Sequence, residues 1–216
     1  IFIILLRVMD NFLINCGLDS KEFWLVMRLY LFASIPLILS IYYLLIVKKF
    51  SKSIFITLLS SFLMAVFGWE LWLTYGLAGG LPVDLRRSAA LSCAIPINLN
   101  WVLNSLADVS VVWIGLFLVK LAYKNNDSPF VKWKWGAFFI LLFWFTFQNI
   151  YVEAFFYDLQ IGLNGDLSWA PLQPLGSWFN PVLFKIAGNP ITLQAQTSWI
   201  IMTPLMLSLI HISEPT

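Results

Sequence analysis

The chain has 216 residues, of which 60% are hydrophobic and 11% charged, with a formal net charge of +2. Soluble domains carry about 25% charged residues, so this composition excludes one and indicates an all-α polytopic membrane helix bundle. Closed barrels show alternating residues in short strands, whereas the apolar runs here are continuous. No basic cluster with interleaved aromatics indicates nucleic acid.

In chain order, the chain starts at Ile1; residues 1–8 read as the remnant of an upstream segment or as noise, with Met9 a candidate initiator. The first span is expected at about 23–47, with Pro36 kinking it. The second, about 54–78, ends in the breaker cluster Gly79-Gly80-Leu81-Pro82. The third, about 96–118, opens on Pro96, a position helices tolerate. The fourth covers about 135–157. Residues 158–190 hold Pro171, Pro174, Pro181, Pro190, Trp169 and Trp178, and read as a loop lying on or dipping into the interface. The fifth span covers about 191–206. Residues 207–216 resemble a translated sequencing adapter. Without them the last helix has about 16 residues, or ~24 Å, short of the ~30 Å hydrocarbon core. The reading is therefore a single bundle over 1–206, with a truncated last helix and a non-native tail. His211, the only histidine, falls in that tail and leaves the functional argument.

Lysines set the expected orientation. Lys48, Lys49 and Lys52, with Lys120, Lys124, Lys132 and Lys134, make seven of the 13 basic residues and share one side. The opposite loops hold Arg86, Arg87 and Lys185. The positive-inside rule makes loops 48–52 and 120–134 cytoplasmic, and loops 79–95 and 158–190 external.

Against this frame the polar residues cluster. Glu70, Asp108 and Glu153 lie inside runs long enough to cross a bilayer, and each carboxylate at a helix centre costs roughly 2.5–3.5 kcal/mol. Near them are Arg28, Asn98, Asn100, Asn104, Gln148, Asn149, Gln194 and Gln196. Asn100, Asn104 and Asp108 are spaced i, i+4, i+8 and share a helix face; Asn149 and Glu153 do the same at i, i+4. Asp108 is about 12 residues into its span, roughly 18 Å deep, where a short carboxylate cannot reach headgroups. Every span carries its polar content in the outer half, which indicates a cavity opening outward with Asp108 at its floor. Glu70, Glu153 and the amides would form its walls, and Trp69, Trp72, Tyr75, Trp101, Tyr151 and Trp199 its aromatic faces. Arg28, Arg86 and Arg87 are candidate partners for a wall carboxylate. The plainer readings are that Glu70 and Glu153 reach the headgroups, that the amides bond between helices, and that the tryptophans anchor at the interface.

Without a native histidine, imidazole-ligated haem, histidine zinc sites and a Ser-His-Asp triad are unavailable; no metal or cofactor is expected. Cys16 and Cys93 fall on the predicted outer side, where two free thiols are expected ahead of a disulfide.

Gly68-Trp69-Glu70 near one span end, Asp108 in the next span, Asn149-Ile-Tyr-Val-Glu153 with Tyr157 beyond it, and a final Trp199…Pro204 span resemble the emopamil-binding (EXPERA) family over about 60–206. The family's pocket histidine has no counterpart here. That resemblance implies sterol-type double-bond isomerisation, with Glu70, Asp108 and Glu153 as acid–base or cation-stabilising groups and Tyr151 and Trp199 lining the pocket.

The leading expectation is a bilayer protein binding a lipophilic isoprenoid- or sterol-like ligand, cationic in one version. Asp108 and Glu153 would be the acid–base pair if it is an enzyme. The alternatives are a transporter or proton-coupled channel subunit with Asp108 titrating, and a structural subunit binding a membrane partner or a second copy.

Overall fold

The computed structural model describes residues 15–48, 52–76, 81–123, 129–156 and 178–213. Residues 1–8, Met9, Lys49, Gly79, Gly80, Lys124, Tyr157 and Trp169, which carried some of the expectations above, lie outside them. The protein is an all-α bundle, and five of its helical segments are long and apolar enough to cross a membrane.

Helix α1 (Ser20–Tyr42) starts a turn earlier than its apolar run. Asp19 accepts from the Lys21 and Glu22 amides at 2.8 Å each, while Glu22 accepts from the Asp19 amide at 3.1 Å. This capping box satisfies donors that the first helical turn would otherwise leave open. The helix runs unbroken past Pro36 into a wider turn, Tyr43–Val47.

The expected second span is two helices, α2 (Lys52–Phe67) and α3 (Trp69–Tyr75), divided at Gly68. A Cβ on Gly68 would lie 2.2 Å from the Met64 carbonyl oxygen, so only glycine fits the break. Two short helices, α4 (Val83–Arg86) and α5 (Ala89–Ala94), lead into α6 (Ile97–Ala122), which extends a turn past its expected end. Helix α7 spans Trp135–Phe156.

The described part of the expected interfacial loop is an antiparallel hairpin, β1 (Val182–Ile186) with β2 (Asn189–Thr192). Its turn residues Ala187 and Gly188 both have positive φ, 49° and 85°, as tight hairpin turns require. Helix α8 (Leu193–Ser213) follows directly and continues through the residues read as a tail. Leu207 and Ile210 are buried there, and His211 Nε2 lies 2.8 Å from the Pro129 carbonyl.

Helices α2, α6, α7 and α8 pack in a ring, each against the next, and α1 packs against α6. At the end carrying Lys48, Lys52, Lys120 and Lys132, here the lysine end, the ring is filled by Val112, Val119, Ala137, Leu141, Phe145, Met202 and Met206. Gly115 lets α6 and α7 close: a Cβ there would sit 2.9 Å from Leu141 Cδ2 and 3.0 Å from Phe145 Cε1. At the opposite, polar end a second cluster joins α1, α5 and α6 through Leu25, Val26, Leu29, Leu91, Ile95 and Leu103.

The polar end is also tied covalently. Cys16 and Cys93, expected as free thiols, are disulfide-bonded across a Cα–Cα distance of 5.6 Å. The start of α1 and the end of α5 are brought together by the α1–α6 packing, which 77 residues of separation conceal. Ser88 reinforces the tie by donating its hydroxyl to Glu22 at 2.5 Å, and Tyr30 by donating to the Ala94 carbonyl at 3.1 Å.

Candidate functional site

At the polar end the ring of helices stands open around a cavity of about 920 Å³. Its lining brings together Arg28, Trp69, Glu70, Asn100, Asn104, Asp108, Gln148, Asn149, Tyr151, Glu153 and Trp199, from five helices. Trp101 is not part of it. Asn100, Asn104 and Asp108 project along one face of α6, and the next residue is turned about 100° away. Trp101 accordingly faces α2 and donates its indole N–H to the Val66 carbonyl at 2.7 Å. Tyr75 likewise bonds elsewhere, donating to the Asn98 side-chain oxygen at 2.8 Å.

The centre is built by the break at Gly68. Restarting the helix there turns Trp69 toward α6, where its indole N–H donates to Asp108 Oδ2 at 2.7 Å. Trp69 also meets Trp199 with ring centroids 6.0 Å apart, and Trp199 meets Phe145 at 5.3 Å. This aromatic layer separates the cavity from the dry core. Glu70, the next residue, lines the cavity at 7% exposure, and no hydrogen bond from the described residues reaches its carboxylate. No hydrogen bond from them reaches the second oxygen of Asp108, although the Arg28 charge is near enough to attract the carboxylate.

Glu153 is in a different state. Its carboxylate accepts from the Thr192 hydroxyl at 2.8 Å, the Thr192 amide at 3.2 Å and Gln196 Nε2 at 2.6 Å. These donors come from the end of β2 and the first turn of α8, so Glu153 caps that helix, where a negative charge is favoured. Asn149 adds to the same seam by donating to the Ala195 carbonyl at 2.8 Å. Gln148 donates within its own helix to the Phe145 carbonyl at 3.0 Å, and Asn104 to the Asn100 carbonyl at 3.1 Å.

Arg87 closes the roof. Its guanidinium donates to Asn100 Oδ1 at 2.8 Å, to Ser92 Oγ at 3.3 Å and to the Ile95 carbonyl, while Asn100 passes a hydrogen bond to Thr74 Oγ1 at 3.2 Å. Burial pulls this guanidinium down to about 10, with Asp84 opposing the fall and Arg86 adding to it. Arg87 therefore stays charged at neutral pH, but its hydrogen-bond partners are amide, hydroxyl and carbonyl oxygens rather than a wall carboxylate. Arg86 donates to the Leu73 carbonyl. Arg28 lies over the Phe156 ring, 5.0 Å from its centroid.

Sequence reasoning named Arg87 only as a candidate partner for a wall carboxylate, and it missed Trp144, which also faces the cavity and donates to the Val111 carbonyl at 2.8 Å. Trp144 lies one turn before Gln148 on the same helix face, which is the signal that would have found it. No cluster of His, Cys, Asp and Glu able to hold a metal ion occurs among the described residues. No protein-family model, curated protein or solved structure matches the chain.

Proposed function

We propose that this protein binds a lipophilic ligand with a positive or positively polarised centre in the polar-end cavity. The observation that carries this reading is the buried Glu70 carboxylate, unbonded by the described residues, lining one cavity with Asp108, Trp69 and Trp199. Unpaired carboxylates inside a span are costly, and a cation held there would offset that cost. Tryptophan faces add about 0.5–2 kcal/mol each through cation–π attraction. An isoprenoid- or sterol-like body suits the apolar remainder of the walls.

If chemistry takes place, the acid–base pair is Asp108 with Glu70. Glu153 is the weaker candidate, because its lone pairs are already spent on Thr192 and Gln196. The emopamil-binding (EXPERA) resemblance supports an isomerase version, in which the same carboxylates stabilise a cationic intermediate. The apolar filling of the lysine end argues against a continuous transport path. We further propose that the polar end faces out of the cytoplasm: the lysine bias favours it, and a disulfide there fits an oxidising compartment.

The test is a titration of the full chain in maltoside micelles with hexadecyltrimethylammonium, read by tryptophan fluorescence. Asp108→Asn and Glu70→Gln should each weaken binding by about tenfold or more while the protein still folds. Unchanged affinity in both variants would sink the reading.

A further inference from the structure

Arg28 is brought to the cavity by a membrane span, unlike Arg87, which arrives from a loop. The two arginines differ in how their donors are used. Arg87 spends all three nitrogens on Ser92, Asn100 and Ile95. Arg28 packs over Phe156, and its Nε is buried with no acceptor among the described residues. A guanidinium is a planar fork of five donors suited to carboxylate and phosphate oxygens. Inside a span, with its Nε buried and lacking an acceptor, it remains a costly arrangement even with the attraction of the nearby Asp108 carboxylate. One cavity therefore presents unsatisfied acceptors at Glu70 and Asp108 and an unsatisfied donor at Arg28.

A purely cationic ligand would satisfy the carboxylates and leave Arg28 facing a like charge. A purely anionic one would do the reverse. Building on the ligand reading above, we infer that the cavity takes a zwitterionic amphiphile. Its quaternary ammonium lies against Glu70, Asp108 and the faces of Trp69 and Trp199, and its phosphate oxygens accept from Arg28. The aromatic faces suit a methylated ammonium that cannot donate hydrogen bonds. The apolar walls take the start of the chain.

Three probes with the same sixteen-carbon chain separate the possibilities: hexadecylphosphocholine, hexadecyltrimethylammonium and hexadecyl phosphate, titrated by mole fraction into the full chain in maltoside micelles. Wild type should bind hexadecylphosphocholine about tenfold or more tightly than either singly charged probe. Arg28→Gln should lose that margin over the trimethylammonium probe by weakening the phosphocholine probe, and Arg28→Lys should keep part of it. Equal binding of phosphocholine and trimethylammonium probes by wild type overturns the inference and leaves the cationic-ligand reading standing. So does a margin that survives in Arg28→Gln. If no probe binds wild type, both fail. Should Arg28→Gln not fold, the wild-type ranking and Arg28→Lys decide the matter. Displacement of hexadecylphosphocholine by excess inorganic phosphate would assign Arg28 to free phosphate and overturn the amphiphile; no displacement supports it.

Discussion

At Gly115, helices α6 and α7 approach until one added methyl would touch Leu141 and Phe145. At Asp108, about two turns nearer the polar end, the same helices line a cavity of about 920 Å³. The filled half meets its packing demands internally, with side chains such as Leu141, Phe145 and Met206 fully enclosed. The hollow half is also costly, because it holds the unclaimed carboxylate of Glu70, one oxygen of Asp108 and the Nε of Arg28. A bundle able to pack one half so densely has no packing reason to leave the other half open. On the reading proposed above, the lysine end is scaffold and the polar end recognises the ligand.

Substitutions can break this contrast or sharpen it. The largest effect is expected from Gly68→Val, whose Cβ would collide with the Met64 carbonyl oxygen at 2.2 Å. Backbone has nowhere to yield there, so a loss above about 4 kcal/mol is expected, seen as failure to purify as a monodisperse species. In the filled half, Leu141→Ala should cost about 2–5 kcal/mol in thermal unfolding while ligand affinity per folded molecule stays constant. Glu153→Gln should cost about 1–3 kcal/mol, because it weakens the cap on α8, and should lower affinity less than the changes at the centre. Glu70→Gln should have the smallest effect on stability, within about 0.5 kcal/mol of wild type or above it, because the described residues give that carboxylate no hydrogen bond to lose. Its affinity loss should nevertheless exceed that of Glu153→Gln. Reversal of those two ranks would erase the distinction between a capping carboxylate and a recognising one.

The apolar runs made the five spans legible, because length and hydropathy are local properties. The clustering of polar residues toward one end was legible for the same reason. Other features depend on long-range pairing. The commitment of Glu153 is set by Thr192 and Gln196, which are 39 and 43 residues away and positioned by the hairpin. The Cys16–Cys93 bond depends on α1 lying against α6. The break at Gly68 was hidden because an isolated glycine in an apolar run is ordinarily absorbed by the helix. Two features were locally readable but outweighed by other signals. Asp19-Ser-Lys-Glu22 is a capping-box spacing that places the start of α1 at Ser20 rather than Phe23. Ala187-Gly188-Asn189 between apolar residues is a hairpin signal, masked by the prolines around it. Trp101 shows the limit of reading by depth alone: it has the level of the cavity but not the helix face.

The most direct test of the division is the thermal shift produced by saturating hexadecyltrimethylammonium in wild type and in Asp108→Asn. Ligand binding to the folded state alone raises its stability by mass action. Wild type should shift upward, whereas Asp108→Asn should start near the wild-type midpoint and shift little. An equal shift in both proteins would contradict the assignment of recognition to the polar end.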